Sequence, residues 1–371
     1  MNRPIKVNVH LFYGADPSKY RKGENAGCLY GYHFAESERY HLTYSHDAKE
    51  GKLRQVFRRA LKAVAGFDIL HAWHNRKDIQ QADVVWTHTE FEYLAISLLF
   101  RLTDTGSRPL LLGQSVWLFD RWSRYSSLRK AFYRMLIRRV DMLTTHSPIN
   151  QKLCLDYLGR PAQLAFYGIS TQDFPIQNLA AWQPHTPLHV AAIGNDWDRD
   201  WDTLVSAFDG DSRFSVRLAT RRKVKSPPKA ENVKIGPVFG MDAQRELYAW
   251  ADIIVVPLHE NKHVSGITVI FEGVTCGKPV VATQVGGLEA YFAADEITYV
   301  PPNDAGALRD AVVGLIEDPA AALQKTLLAT QRLMRSAYTT ENFARQHVIF
   351  TEQLLLERGL EEDGTHPGVG Q

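Results

Sequence analysis

The stretch SGITVIFEGVTCGKPVVATQVGGLE, residues 265–289, holds a helix start, a helix stop and a buried strand in immediate succession. Ser265–Gly266–Ile267–Thr268 opens a helix whose buried face takes Val269, Phe271 and Val274. A Ser-Gly turn at that point leaves backbone N–H groups without partners, and with the helix dipole they form an anion site. Glu272 lies about a turn and a half further on, where a carboxylate can accept hydrogen bonds from ribose hydroxyls while the N-terminus holds phosphates. Cys276–Gly277–Lys278–Pro279 ends the helix, because Gly supplies a left-handed stop and Pro blocks continuation. Val280–Val281–Ala282–Thr283 is then a buried strand, and Gly286–Gly287 at its carboxyl end permits close backbone approach to a ligand. Any doubly wound domain has helix starts after strands and glycines in its turns. The ordered succession is more specific than either feature alone.

Outward from this segment, strand-like runs alternate with helical patterns. The runs cover 5–12, 84–86, 109–113, 142–145 and 163–167 in the first half, then 188–193, 214–219, 233–235, 253–257 and 279–283. Helices are expected from 201, over 242–251 and over 266–276. This is the signature of βαβ units around parallel sheets. A polar, proline-bearing stretch at 177–187 separates two units of similar size. The expected organisation is an N-terminal domain at 1–180, a C-terminal domain at 186–340, a helix at 341–358 and a disordered tail at 359–371.

The 371 residues exceed one ordinary domain. A net charge of +2 offers no case for nucleic acid. Cys28, Cys154 and Cys276 lack metal-ligand spacing and fit a reducing compartment. The chain enters a strand-like run without the apolar core of a signal peptide, and no stretch reaches the roughly 18 apolar residues of a membrane span. A cytoplasmic protein is expected, with contact to the inner face of the membrane left open.

Extended to Tyr291, the segment resembles the donor-binding signature of GT-B glycosyltransferases of the large retaining group, family 4-like, which includes sucrose and glycogen synthase-like enzymes. The resemblance implies an α/β GT-B fold: two Rossmann-like doubly wound domains with the donor cleft between them. It also implies a final helix, near 340–357, that crosses back onto the N-terminal domain. In that group a Glu, seven residues and a second Glu frame the diphosphate-sugar. Glu272 matches the second, which contacts the donor ribose, whereas Val264 stands where the first is usual. Some relatives carry Ser-Gly here and dispense with the first Glu, so the sugar-ring contacts and the anomeric outcome stay open.

The same resemblance gives Gly194 a place in the loop after the first strand of the second unit. It matches Arg199 to the basic residue that grips the pyrophosphate, a task suited to a planar guanidinium. The alternative for Arg199 is a surface ion pair with Asp198 or Asp202. Arg221, in the basic loop 220–223, offers a further phosphate contact or is simply solvated, and Val238 stands where the family holds the base. With Gly14, Ser265, Gly266, Ile267, Thr268 and Glu272 these make the expected donor site. The Asp-Trp-Asp and Asp-Arg-Asp spacings at 196–200 do not argue for a metal, since Arg199 would compete for the acids. No metal or cofactor is expected, the nucleotide-sugar being a substrate.

The N-terminal half matches more loosely. Asp16, His88, Glu90 and Gln114 all follow strand-like runs. An inverting reaction needs a general base, for which Asp16 or Glu90 comes first and His88 next, while a retaining one needs none. A His in such a place is more often a packing residue. Residues 19–31, with three glycines, are expected to be an acceptor loop. Two basic helical patterns, at 52–64 and 125–139, either pack their apolar stripe on the sheet or lay it on an anionic membrane. The expected reaction moves a hexose-type sugar from a nucleoside diphosphate to a hydroxyl of a glycan, a polysaccharide or lipid-linked oligosaccharide precursor. A UDP-sugar is favoured over GDP-mannose. An epimerase of the same fold and an inactive binding module are the competing readings.

Overall fold

The apolar runs of the first half pair into one six-stranded parallel sheet and those of the second half into another. The computed structural model describes residues 3–19, 28–103, 108–177 and 181–362. The first sheet contains β1 (Ile5–His10), β2 (Tyr40–Tyr44), β3 (Val84–Thr87), β4 (Leu110–Ser115), β5 (Met142–Thr145) and β6 (Ala162–Leu164), in the order β2-β1-β3-β4-β5-β6. The second contains β7 (Leu188–Ile193), β8 (Phe214–Ala219), β9 (Val233–Gly236), β10 (Ile253–Val256), β11 (Val280–Thr283) and β12 (Thr298–Val300), in the order β12-β11-β10-β7-β8-β9. Strands such as VVWT in β3 and IIVV in β10 are buried at every residue, as a parallel sheet covered on both faces requires. The structure thus consists of two Rossmann-like units.

Two strands, β2 and β12, are absent from the sequence pattern, and both lie at sheet edges. In β2 the residues alternate between buried and exposed at first, and β12 has only three residues. Neither produces the continuous apolar run that marks a central strand. Stretch 181–187 carries no regular element and is strapped to the second unit, where Trp182 donates to Asp252 O at 3.2 Å.

In each sheet the strand order reverses at one place, between β1 and β3 and between β7 and β10. Ligands of doubly wound sheets bind beyond the carboxyl ends of the strands at such a reversal. The final helix, Thr340–Glu362, packs on the first sheet: Phe343, Ala344, Phe350 and Leu354 join the core beneath β1 and β3, and Trp86 donates to Thr351 Oγ1 at 2.9 Å. Most of the expected acceptor loop (20–27) and most of the expected tail (363–371) lie outside the described residues.

The basic helix Lys52–Ala65 does not pack as ordinary amphipathicity dictates. Its one fully buried side chain is Arg58, and Leu53, Val56, Phe57 and Val64 face outward. The second basic helix, Ser127–Ile137, does bury Tyr133, Leu136 and Ile137.

Candidate functional site

The chain leaves β7 at Gly194 and turns back so that Arg199 bridges Leu258, just beyond the end of β10. This places Arg199 at the β7/β10 reversal. Its side chain is 4% exposed, and Nε donates to Asp196 Oδ2 at 2.9 Å. Nη1 is buried and has no partner. A guanidinium N–H buried without an acceptor is costly, and an anion is the kind of partner that would satisfy it. Two glycines make room for it. A Cβ on Gly194 would stand 2.3 Å from Arg199 Nε, and one on Gly266 would stand 2.9 Å from Nη1.

Gly266, at φ 83°, caps the helix Ile267–Thr275, so Nη1 lies against a helix N-terminus. The first N–H groups of a helix have no partner within it, although here Ile267 N donates to Val264 O at 3.2 Å. Asn261 shapes the approach by accepting from Ser265 N at 3.2 Å, and Ser265 Oγ donates to Asp196 Oδ1 at 3.3 Å. Asp196 therefore ties Arg199 and Ser265 into one loop pair. Val264 sits at φ 52°, a strained conformation for a β-branched residue, with its side chain 2% exposed in the second unit's core. A side chain at this position points into the core.

Glu272 borders a cavity of about 300 Å³ whose walls include Tyr30, Tyr167, Met241, Gln244 and Thr268. Both units contribute to these walls. Tyr248 donates its hydroxyl to Glu272 Oε2. Burial pushes the Glu272 carboxyl up to about 7, against hydrogen bonds from Tyr248 and Gln244 and the charge of Arg199. Thr268 is exposed one turn before it. Val238 is half-buried against the core, and Phe239 beside it is exposed. Arg221 is exposed, its backbone N–H held by Asn195 Oδ1 at 2.8 Å, while its neighbour Arg222 stacks on Trp197 at 3.6 Å. Gly286–Gly287 approaches protein: Ser147 of the first unit donates to Gly286 O at 3.0 Å, and a Cβ on Gly286 would stand 2.4 Å from Asn261 Oδ1.

The N-terminal candidates are held largely by their own fold, although Glu90 Oε1 and Gln114 Oε1 are buried without a partner. Asp16 Oδ1 accepts from Ser18 N and Oγ at 2.9 and 2.7 Å, and Oδ2 accepts from Asp47 N at 3.3 Å. Burial pushes this carboxyl up, but those hydrogen bonds outweigh it and hold it below the ordinary value. Gly14 N donates to Asp47 Oδ1 at 2.9 Å in the same turn. His88 is buried, stacked on Tyr30 at 3.4 Å with Nδ1 at 3.0 Å from Tyr32 OH, and burial drives its pKa well down. Gln114 donates to His88 O at 2.9 Å and to His146 Nε2 at 2.9 Å. Glu90 Oε2 accepts from the amides of Val116 and Trp117 at 3.0 and 3.1 Å, and burial raises its carboxyl pKa. Asp16 and Glu90 shape loops, and His88 and Gln114 belong to a packed polar core.

Sequence reasoning missed a group that spans the two units. Asp120 Oδ1 accepts from Lys262 N at 2.7 Å and its Oδ2 lies 2.8 Å from His263 Nδ1. His263 Nε2 is 3.6 Å from Asp198 Oδ2, in the Arg199 loop. The group clamps the loop that precedes Ser265 to the first unit. Its members are 143 positions apart, so no local pattern signals it. One grouping within metal-ligand reach occurs among the described residues: His185, His189 and Asp252. It sits at the amino ends of β7 and β10, where Asp252 Oδ2 already accepts from His185 N and His189 N at 3.0 and 2.9 Å. It straps the linker and is remote from the reversal.

The family described as glycosyl transferases group 1 matches residues 210–318. Among curated proteins no match is found. Among solved structures, sucrose-phosphate synthase from Thermosynechococcus elongatus aligns with a TM-score of 0.69 at 18% identity, covering 95% of this chain and 100% of that one. HepE of Anabaena in complex with UDP-glucose aligns with a TM-score of 0.66 at 13% identity, covering 94% and 99%. A glycosyltransferase from Rickettsia africae aligns at 0.63 and 13%, covering 95% and 99%. At these identities the likeness shows the fold, and the fold is GT-B-like over nearly the whole chain.

Proposed function

We propose that the chain is a glycosyltransferase that takes a sugar from a nucleoside diphosphate, with UDP as the favoured nucleotide. The observation that carries this is the unpartnered Nη1 of buried Arg199, held against the N-terminus of the helix Ile267–Thr275. That pairing suits a diphosphate: the guanidinium and the helix N–H groups take its charge, which grows as the anomeric bond breaks. Glu272, five residues into the same helix, takes the ribose hydroxyls in this reading. The preference for UDP is supported by HepE of Anabaena, solved with UDP and with UDP-glucose. The acceptor is a hydroxyl, with a glycan or lipid-linked oligosaccharide as its class.

A second reading, a binding module without catalysis, draws on Val264 turned into the core and on the engaged state of Asp16 and His88. Calorimetric titration with UDP and with GDP, followed by product analysis with UDP-hexoses and glycan acceptors, separates the readings. Tighter binding of UDP with sugar transfer is expected. Binding without turnover selects the module, release of rearranged sugar without an acceptor selects an epimerase, and failure to bind either nucleotide overturns the proposal.

A further inference from the structure

The helix Lys52–Ala65 is attached to its domain by the side that carries Arg58, with Leu61 and Ala65 partly buried against the first unit's core. Arg58 is the anchor: Nε donates to Glu50 at 2.9 Å, Nη1 reaches Asp68, and the guanidinium lies 3.7 Å over the Tyr13 ring. The opposite side carries the apolar stripe into solvent, with Leu53 89%, Val56 65%, Phe57 61% and Val64 74% exposed. Leu128, 82% exposed, extends the stripe at the start of the neighbouring helix, whose Arg129 donates to Val64 O at 2.6 Å. Five such side chains on one face exceed the scattered apolar exposure of an ordinary surface.

Charge surrounds the stripe with a single sign. Lys49, Lys52, Arg54, Arg59 and Lys62 are exposed along the helix, and the nearby acids Glu50 and Asp68 are consumed by Arg58. Residues 121–140 add further basic side chains and contain no Asp or Glu. An apolar stripe rimmed by cations is the pattern of a helix lying in the plane of an anionic bilayer. Among the described residues no helix is long and apolar enough to cross a membrane, so the contact is a surface one. The attachment through Tyr13 sets this face directly behind the turn that carries Gly14 and Asp16, at the carboxyl end of β1.

We infer that this face docks the N-terminal unit on an anionic lipid surface, with the helix Lys52–Ala65 half-sunk and the mouth of the β1/β3 reversal held at the membrane. An acceptor anchored in that membrane then reaches the cleft without leaving it. The face shares no residue with the donor site, so the inference stands or falls apart from the nucleotide reading.

The test is co-sedimentation of the full chain with vesicles of phosphatidylcholine alone and with about 30% phosphatidylglycerol. Binding to the anionic vesicles at about 0.1 M salt is expected, weakened at about 0.5 M. The exposed double variant L53D/F57D is expected to lose roughly tenfold or more in partitioning while keeping the wild-type affinity for UDP. Replacing Lys52 and Arg59 by Glu is expected to weaken binding to anionic vesicles alone. No binding at low salt, or binding that both variants retain, overturns the inference. So does a wild-type dimer in solution that L53D/F57D converts to a monomer, since the face is then an interface between copies of the chain.

Discussion

The two sheets share a topology, and both leave polar groups unsatisfied, but of different kinds. At the β7/β10 reversal a buried cation, Arg199, keeps a donor without an acceptor, and glycines stand where side chains would block it. At the β1/β3 reversal Asp16 is occupied by Ser18 and Asp47 and His88 by Tyr30 and Tyr32, while Glu90 takes the amides of Val116 and Trp117 on Oε2 and leaves Oε1 buried without a partner, as is Gln114 Oε1. The difference teaches that the second reversal buries an unpaired cationic donor, whereas the first buries unpaired acceptor oxygens.

The sharpest way to break this contrast is to remove the cation. Arg199→Ala is expected to weaken UDP binding by roughly a hundredfold, since charge-assisted hydrogen bonds contribute about 1.5–3 kcal/mol each. Titration calorimetry reads this, and unchanged affinity in the variant means the diphosphate lies elsewhere. Gly266→Ala comes next. Its Cβ meets Val256 Cγ1 at 2.5 Å and Arg199 Nη1 at 2.9 Å on a backbone at φ 83°. A loss of about 2 kcal/mol in urea unfolding is expected, with weaker UDP binding beside it.

Glu272 sharpens the comparison through pH. Its folded-state pKa is raised by burial from 4.5 to about 7. Between those values the folded chain holds a proton that the unfolded chain has released, so stability falls as pH rises through the window. Glu272→Gln should flatten that fall by roughly 2–3 kcal/mol between pH 5 and pH 8, read from denaturation midpoints. UDP affinity runs the opposite way, strengthening as the carboxyl ionises and becomes a better acceptor for ribose. Parallel slopes for stability and affinity would count against the ribose assignment. The smallest effect belongs to the first unit: Asp16→Ala should cost about 1 kcal/mol through loss of its turn hydrogen bonds and leave UDP affinity unchanged. A fall in affinity there would erase the contrast between the two reversals.

Central strands and the ends of the helix Ile267–Thr275 were legible because their signals are local: a run of β-branched residues, a glycine before, a glycine and a proline after. Arg199 and Glu272 were legible for the same reason, each standing at a fixed distance from such a landmark. The edge strands β2 and β12 were not, being short and partly exposed. Gly286–Gly287 reads as a ligand approach in the sequence, yet its close neighbours are Ser147 and Asn261, because a glycine pair does not state what comes near it. The Asp120–His263 clamp had no signal at all, joining two positions far apart in the chain.

By itself the sequence determined two doubly wound units and the placement of a cation and a carboxylate around a helix start. These follow from residue order along a few turns of backbone, where periodicity and chain termination act. Only the tertiary structure decided which of those groups are left over. Whether a carboxylate is a base or a turn staple depends on which amides reach its lone pairs, and for Asp16 and Glu90 they come from other segments. Which face of the helix Lys52–Ala65 meets water was likewise beyond its periodicity. That was settled when Arg58 found Glu50, Asp68 and Tyr13 and turned the apolar stripe outward.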